Sequence, residues 1–301
     1  MSHCSRRNFL RTGAAAAGAV ALGGLSAPSL MGQTTRSATD WVTLGNSGVQ
    51  VTRLAFGTGT NGGRVQRELG QKEFTKLVRH AYDRGIRFFE SADAYDQMHE
   101  MLAEALKGIP RDTYRLMTKM RLGEQDTVPK TLDRFRKELN TEYIDIVLLH
   151  CVRTPDWATS YESKRDGLSE LKVKKVLLSH GASCHGLMPI RQFPGNKWLD
   201  VALCRINHNG TKMDTIPSEG NTPGDVAEVT QHLARIHGQG TGVLGMKLVG
   251  EGRFTNAEDR QKAVNYAFGT GSVDSVTMGF KSTAEIDEAI ERVTRALNAK
   301  V

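Results

Sequence analysis

A chain of 301 residues, 39% hydrophobic and 24% charged, has the composition of a water-soluble globular protein and the length for one large domain around a full core. The formal net charge is +7, but the first forty residues hold four arginines and one acid; beyond them 36 Lys+Arg stand against 32 Asp+Glu. So mild a surplus, with no basic stripe interleaved with aromatics, excludes nucleic acid as the expected partner.

The N-terminal stretch "SRRNFLRTGAAAAGAVALGGL" places Arg6 and Arg7 ahead of Phe9 and Leu10, then runs through weakly apolar Ala and Gly to Leu25. It resembles a twin-arginine signal, the address of an export machinery that carries proteins after folding. The run is too short and too rich in alanine for a membrane span, which takes about 20 strongly apolar residues, so no stable membrane insertion is expected after processing. Ala27-Pro28-Ser29 offers a small-x-small cleavage match. Residues 1–40 are set aside as signal and disordered leader, and residues 41–301 are taken as one domain. The resemblance implies an exported protein, periplasmic or otherwise extracytoplasmic. Once Cys4 leaves with the leader, Cys151, Cys184 and Cys204 form no C-x-x-C pair, which points to buried thiols. An oxidising compartment keeps a Cys151–Cys184 bridge open as the alternative.

From Leu44 onward, β-rich runs alternate with amphipathic stretches. Strands are expected at 53–58, 86–91, 114–119, 144–150, 173–179, 199–206, 241–248 and 273–279. Helices are expected near 71–84, 97–107, 126–140, 160–172, 186–193, 224–238, 256–268 and 284–297, with start signals at Asp126 and at Ser282–Thr283. The strands are near-continuous apolar runs, as in a parallel sheet buried on both faces. Eight strand–helix units in about 260 residues fit an α/β fold of the (β/α)8 TIM-barrel type. A doubly wound sheet would need its glycine fingerprint to open the first helix. "FGTGTNGG" supplies Gly57, Gly59, Gly62 and Gly63, but that helix begins only near Gln71.

In a barrel the C-terminal strand ends form the catalytic face. Those ends carry Glu90 with Tyr95 just beyond, then Lys119, then His150. A tyrosine donates a proton at neutral pH when its anion is stabilised. A nearby ammonium does so, a carboxylate holds the ammonium, and a histidine shares the hydroxyl's proton. Such a set is a general acid for an oxygen becoming negative, as a carbonyl does on receiving hydride.

Six stretches in order resemble the aldo/keto reductase family, from about Leu44 to the end. They are "TLGNSGVQVTRLAFGTGT", "FFESADAY", "MTKM", "YIDIVLLHC", "VKKVLLSHGASCHGL" and "MGFKSTAEIDEAI". The resemblance implies NAD(P)H-dependent interconversion of an aldehyde or ketone, a sugar included, with its alcohol. Tyr95 would be the acid, Lys119 and His150 its tuners, and Glu90 the lysine's partner. Gly57 and Thr58 are carried over as cofactor contacts, and Ser183, in the Gly181-Ala182-Ser183 segment, would meet the nicotinamide amide. Three departures stand out. Aspartate is usual where Glu90 stands. The polar residue usual on the sixth strand appears as Leu203, its role passing to Arg205 or Asn207. The aromatic usual after the seventh strand is replaced by Met246 and Lys247.

Cofactor choice is open between NAD and NADP. Glu285 falls where NADP-specific members place an arginine, and a carboxylate suits a free ribose diol; Lys281 and Ser282 offer a cation and a hydroxyl to a phosphate. Glu288 is placed near the adenine amine. Substrate specificity is expected in the loops at 61–70, 151–161 and 249–254, with Trp157 lining the mouth; Arg64 and Arg67 would favour an acidic or sugar substrate. Two other classes compete. One is a catalytically weak barrel of this type binding a ligand or partner outside the cytoplasm. The other is a metal hydrolase using His99, His180, Cys184 and His185, against which no H-x-H or H-E-x-x-H appears; no metal ligand is assigned.

Overall fold

The computed structural model describes residues 35–123, 125–216 and 223–299. The signal motif and cleavage position lie outside these residues.

Eight parallel strands close a ring: β3 (Leu54–Gly57), β4 (Phe88–Glu90), β5 (Arg115–Arg121), β6 (Ile144–Val152), β7 (Leu177–Cys184), β8 (Val201–Arg205), β9 (Gly242–Met246) and β10 (Ser275–Gly279). β10 pairs with both β9 and β3. Ahead of the ring, β1 (Trp41–Thr43) and β2 (Gln50–Thr52) form an antiparallel hairpin. The outer layer holds α1 (Arg64–Glu68), α2 (Gly70–Asp83), α3 (Met98–Leu106), α4 (Val128–Glu138), α5 (Trp157–Ser160), α6 (Glu162–Val173), α7 (Leu187–Ile190), α8 (Val226–Gly238), α9 (Ala257–Gly269) and α10 (Thr283–Leu297).

The pleat divides each strand between two cores. Ala55, Phe88, Met117, Ile146, Leu148, Val201, Leu203, Leu244 and Met246 fill the barrel, whereas Leu54, Phe56, Phe89 and Leu116 pack outward with the helices. Leu44, Val49 and Val51 of the hairpin join the inner set and close the N-terminal end. That closure needs glycine at position 45, where φ is +47° and a Cβ would stand 2.2 Å from the Gly240 carbonyl oxygen.

Three sequence expectations are corrected. Residues 36–40 were grouped with the leader, yet Ala38 is fully buried and bonded to Leu54 and Thr294. The strand expected at 173–179 runs instead from Leu177 to Cys184. Val173 is the exposed end of α6, and a turn with Lys175 at φ +59° precedes the strand. The small residues of "SHGASC" then enter the ring because Gly181 admits the backbone of β8; a Cβ there would meet the Val201 oxygen at 1.7 Å. Asp126 is not the N-cap of α4, which begins at Val128 behind Thr127 and has no side-chain cap from it; Asp126 pairs with Lys130 at 2.5 Å. Ser282 does cap α10, accepting the Glu285 N–H at 3.3 Å.

Candidate active site

Three neighbouring strands, β4 with the loop after it, β5 and β6, deliver the expected acid–base residues to one end of the ring. The Lys119 ammonium, 2% exposed, donates to Glu90 Oε1, to the Ser91 carbonyl at 2.8 Å and to the Tyr95 hydroxyl at 3.3 Å. Glu90 Oε2 accepts from Thr277 Oγ1 of β10 at 3.1 Å. The Tyr95 ring stands edge-on to His150, with centroids 5.6 Å apart. Period two explains the set: Lys119 lies two residues beyond Met117, and Thr277 two beyond Ser275, so each faces the interior. Thr277 was legible as a polar residue at an inward position, but no expectation singled it out.

The extra methylene of Glu90 is accommodated by the strand beside it. Gly57 is the register partner of Glu90, and a Cβ on it would lie 2.9 Å from Glu90 Oε2 and 2.6 Å from Thr277 Oγ1. The missing side chain is the room the longer acid uses. Gly59, also passed over, leaves similar room for the tyrosine; a Cβ there would sit 2.5 Å from the Tyr95 oxygen.

Burial dominates the protonation of the group. It pushes the Tyr95 hydroxyl well above the usual tyrosine value, and Glu90, Cys151 and Glu251 push the same way. The lowering expected from a nearby ammonium gives way to burial, with the Glu90 carboxylate adding to the rise. Burial lowers Lys119, against the opposing pull of Glu90. His150 falls to about 3, by burial first and then by Lys119, Arg121 and Arg153. At neutral pH the hydroxyl and the imidazole are therefore both neutral.

The other expected residues are placed as follows. Thr58 is fully buried and donates to Ser91 Oγ at 3.2 Å. Ser183, also buried, accepts the Cys151 N–H at 2.8 Å. Asn207 is buried and committed to its own loop: its amide donates to the Thr211 and Lys247 carbonyls and its oxygen accepts from the Asn209 and Gly210 N–H groups. Met246 is 8% exposed, and Lys247, at φ +61°, is paired with Glu251. At the start of α10 the Lys281 side chain is 69% exposed. Glu285 accepts the Lys281 N–H at 2.9 Å, and Glu288 is held by Arg260 and Arg292, both at 2.7 Å. Trp157 does not line the mouth. It has no exposed surface and packs on Phe193 and Trp198. Arg64 pairs with Glu68 at 3.9 Å, and Arg67 donates to the Asp96 carbonyl.

The histidines of the metal alternative are dispersed. His180 stacks on Trp198 at 4.5 Å, His99 bridges Thr118 and Glu138, and His185 accepts from Arg205 at 2.6 Å. Cys184 and Cys204 are the buried thiols expected, and burial pushes both upward in pKa; Cys151 is only half-buried, and none of the three is in a disulfide. Among the described residues no helix is long and apolar enough to cross a membrane.

Comparison with known proteins agrees with this geometry. Residues 3–23 match the twin-arginine translocation signal sequence, which directs export across a membrane. A probable aldo-keto reductase 1 of Glycine max is 30% identical over 54% of this chain, a match spanning 55% of that relative's length. An L-galactose dehydrogenase of Arabidopsis thaliana is 22% identical over 83% of this chain and 87% of its own. Among solved structures, a Pseudomonas aeruginosa protein assigned to the aldo-keto reductases superposes with a TM-score of 0.68 at 21% identity, over 87% of this chain and 98% of that one. The holo form of a Bacillus halodurans aldo-keto reductase gives 0.65 at 18% identity, over 86% and 91%. These two show the fold, and residues 53–300 match the model of the Aldo/keto reductase family itself. With its closed parallel barrel, the chain belongs to that family of oxidoreductases.

Proposed function

We propose that the chain is an exported, NAD(P)(H)-dependent oxidoreductase that interconverts an aldehyde or ketone with its alcohol, with Tyr95 as the general acid and base. The observation that carries this reading is the bonded series Tyr95–Lys119–Glu90 at the strand ends. A nicotinamide, when bound, supplies or takes up the hydride. In the reducing direction Tyr95 gives its proton to the substrate oxygen, and Lys119, 3.3 Å away, stabilises the anion left behind. His150, neutral at physiological pH, orients the same oxygen by hydrogen bonding without competing for the proton.

The donor set suits a dinucleotide. Met246 and Lys247 are assigned to the nicotinamide side, and Lys281, Ser282, Glu285 and Glu288 to the adenosine side at the start of α10. Gly57, Thr58, Ser183 and Asn207 shape the floor from within the packed barrel. Glu285 favours a free ribose diol and hence NAD; Lys281 would serve a 2′-phosphate. The L-galactose dehydrogenase among the relatives supports a sugar as the carbonyl partner. Export after folding suits a chain that carries its cofactor across the membrane and works in the periplasm.

The test is fluorescence titration of the mature chain with NADH and with NADPH, alongside turnover of the Tyr95→Phe variant. Saturable binding together with roughly 10²–10⁴-fold lower turnover in the variant is expected, by the scale of acid–base catalysis. A cooperatively melting chain that binds neither nucleotide and carries none would overturn the reading.

A further inference from the structure

The loop that leaves β9 carries an ion pair between two residues in a backbone region that disfavours them. Lys247 follows Met246, the last residue of the strand, at φ +61°. Glu251 lies at φ +58°, between Gly250 at +59° and Gly252 at +87°. The left-handed region suits glycine and crowds the Cβ of any other residue. Gly250 and Gly252 meet that demand without cost; Lys247 and Glu251 are held there by the bond their side chains make to each other. Two backbone bonds shape the turn between them, Gly250 N–H to the Lys247 carbonyl at 2.9 Å and Gly252 N–H to the Val249 carbonyl at 3.1 Å. The Asn207 amide moors the turn to the loop after β8, donating to the Lys247 carbonyl at 3.2 Å. Strain held by one side-chain pair, in a segment flanked by glycines, marks a loop with a second arrangement close in energy.

The pair stands at the catalytic end of the barrel, directly after Met246 of the interior packing. Its charges are felt at the catalytic group. Behind burial, Glu90 and Cys151, Glu251 adds to the rise at Tyr95; behind burial, Lys247 adds to the lowering at Lys119. Side-chain exposures of 22% for Lys247 and 19% for Glu251 leave both within reach of a ligand, whereas Lys119 is 2% exposed. An ammonium so placed is an anion site already filled by the chain's own carboxylate. We infer that Glu251 is a placeholder on Lys247: it holds the ammonium until nucleotide binds, and Lys247 then exchanges it for a phosphate of the dinucleotide. A carboxylate carries a single charge and the pyrophosphate of a dinucleotide carries two, which favours the exchange. Breaking the ion pair also frees the Gly-Glu-Gly turn to relax, so part of its cost is recovered. The exchange rests on the nicotinamide-dependent reading above and sets how tightly that cofactor is held.

The test is fluorescence titration at low salt of the wild-type mature chain, Glu251→Gln, Lys247→Met and the double variant. The probes are NADH, NADPH and inorganic pyrophosphate, the last read by its displacement of nucleotide. Glu251→Gln is expected to bind the nucleotide the wild type prefers at least roughly fivefold more tightly, the upper worth of a fully exposed ion pair, and to bind pyrophosphate more tightly as well. Glu251→Gly removes the acid, suits the left-handed backbone and serves in the same way where the glutamine variant does not fold. The decisive quantity is the cost of Lys247→Met. If Lys247 exchanges partners, its loss weakens binding by a larger factor in the Glu251→Gln background than in the wild type. In the wild type the lost phosphate contact is offset by an ion pair that no longer has to break. If the pair stays intact beside the nucleotide, its two charges act independently and the two factors are equal. Equal factors overturn the exchange and leave the reductase standing. So does unchanged or weaker nucleotide binding by Glu251→Gln in a chain of wild-type melting temperature, or tighter nucleotide without tighter pyrophosphate. A wild type that binds neither nucleotide removes the reductase reading, and the exchange with it.

Discussion

The fit of Glu90 against Gly57 can be tested by a double-mutant cycle. In Gly57→Ala the new Cβ lies 2.6 Å from Thr277 Oγ1, 2.9 Å from Glu90 Oε2 and 3.2 Å from the Met278 carbonyl oxygen. The backbone oxygen cannot retreat, so the two side-chain oxygens must. Overpacking of this kind costs about 1–3 kcal/mol. Because the displaced carboxylate holds Lys119 beneath Tyr95, a shift approaching an ångström lowers kcat by about 10²-fold. Glu90→Asp alone withdraws the carboxylate by one methylene, about 1.5 Å, and loosens the buried lysine. The double variant brings a shorter acid and a filled strand together, so each change relieves the other. Urea melts and steady-state kinetics are expected to give a favourable coupling of about 1–2 kcal/mol, within the range for residues in contact. Additivity within about 0.5 kcal/mol, or an alanine variant as stable and active as wild type, refutes the account of how the longer acid is housed.

Further outcomes follow from burial and protonation. Trp157→Ala should cost about 3–5 kcal/mol in a urea melt with kcat/KM unchanged for the folded fraction; a substrate-specific change in KM would return this residue to the mouth. His150 has a folded pKa of about 3 against about 6.5 in an unfolded chain, so its contribution is present above pH 6.5 and is lost as pH falls towards 3. At pH 5 that is about 2 kcal/mol less stability than at pH 7, and His150→Gln should flatten the profile by that share; an unchanged slope contradicts the burial assigned to the ring. With the Tyr95 pKa raised, reduction should hold its rate into alkaline solution while oxidation, which needs the tyrosinate, climbs with pH. Parallel pH profiles for the two directions would contradict the assignment of Tyr95.

Alternation of apolar runs with amphipathic stretches made the eight barrel units legible, and strand ends named Glu90, Tyr95, Lys119 and His150 because a parallel barrel gathers chemistry there. What stayed hidden depends on contacts distant in sequence. The apolar "VKKVLL" reads as a strand throughout, yet its first residue is the exposed end of a helix, and the real strand continues through residues of low β propensity. No local signal says that Gly181 must admit the Val201 backbone. Trp157 was expected at the mouth from its loop position, and only the packing of Phe193 and Trp198 places it in the core. Asn207 stands where a cofactor contact was expected, but four hydrogen bonds to its own surroundings consume it. His185 entered the sequence reading only as a metal ligand. Its partner Arg205 is twenty residues away, across a strand pair whose register no local pattern reveals.

On the role proposed for Tyr95, the same long-range contacts explain why the tyrosine is not activated in advance. Lys119 is close enough to steady a tyrosinate, but in the resting site its ammonium faces Glu90, and burial keeps Tyr95 protonated. A hydroxyl held neutral is the form a proton donor requires, and a lysine already bonded to the oxygen needs no rearrangement when the negative charge arrives. Were the acid absent, the lysine would be an unbalanced buried cation, prone to lose its own proton; Glu90 opposes that loss. The carboxylate therefore acts on the lysine's protonation first and on the tyrosine only through it. Its reach to both Lys119 and Thr277, across the space Gly57 leaves empty, is what allows glutamate to occupy a position where the family usually has aspartate.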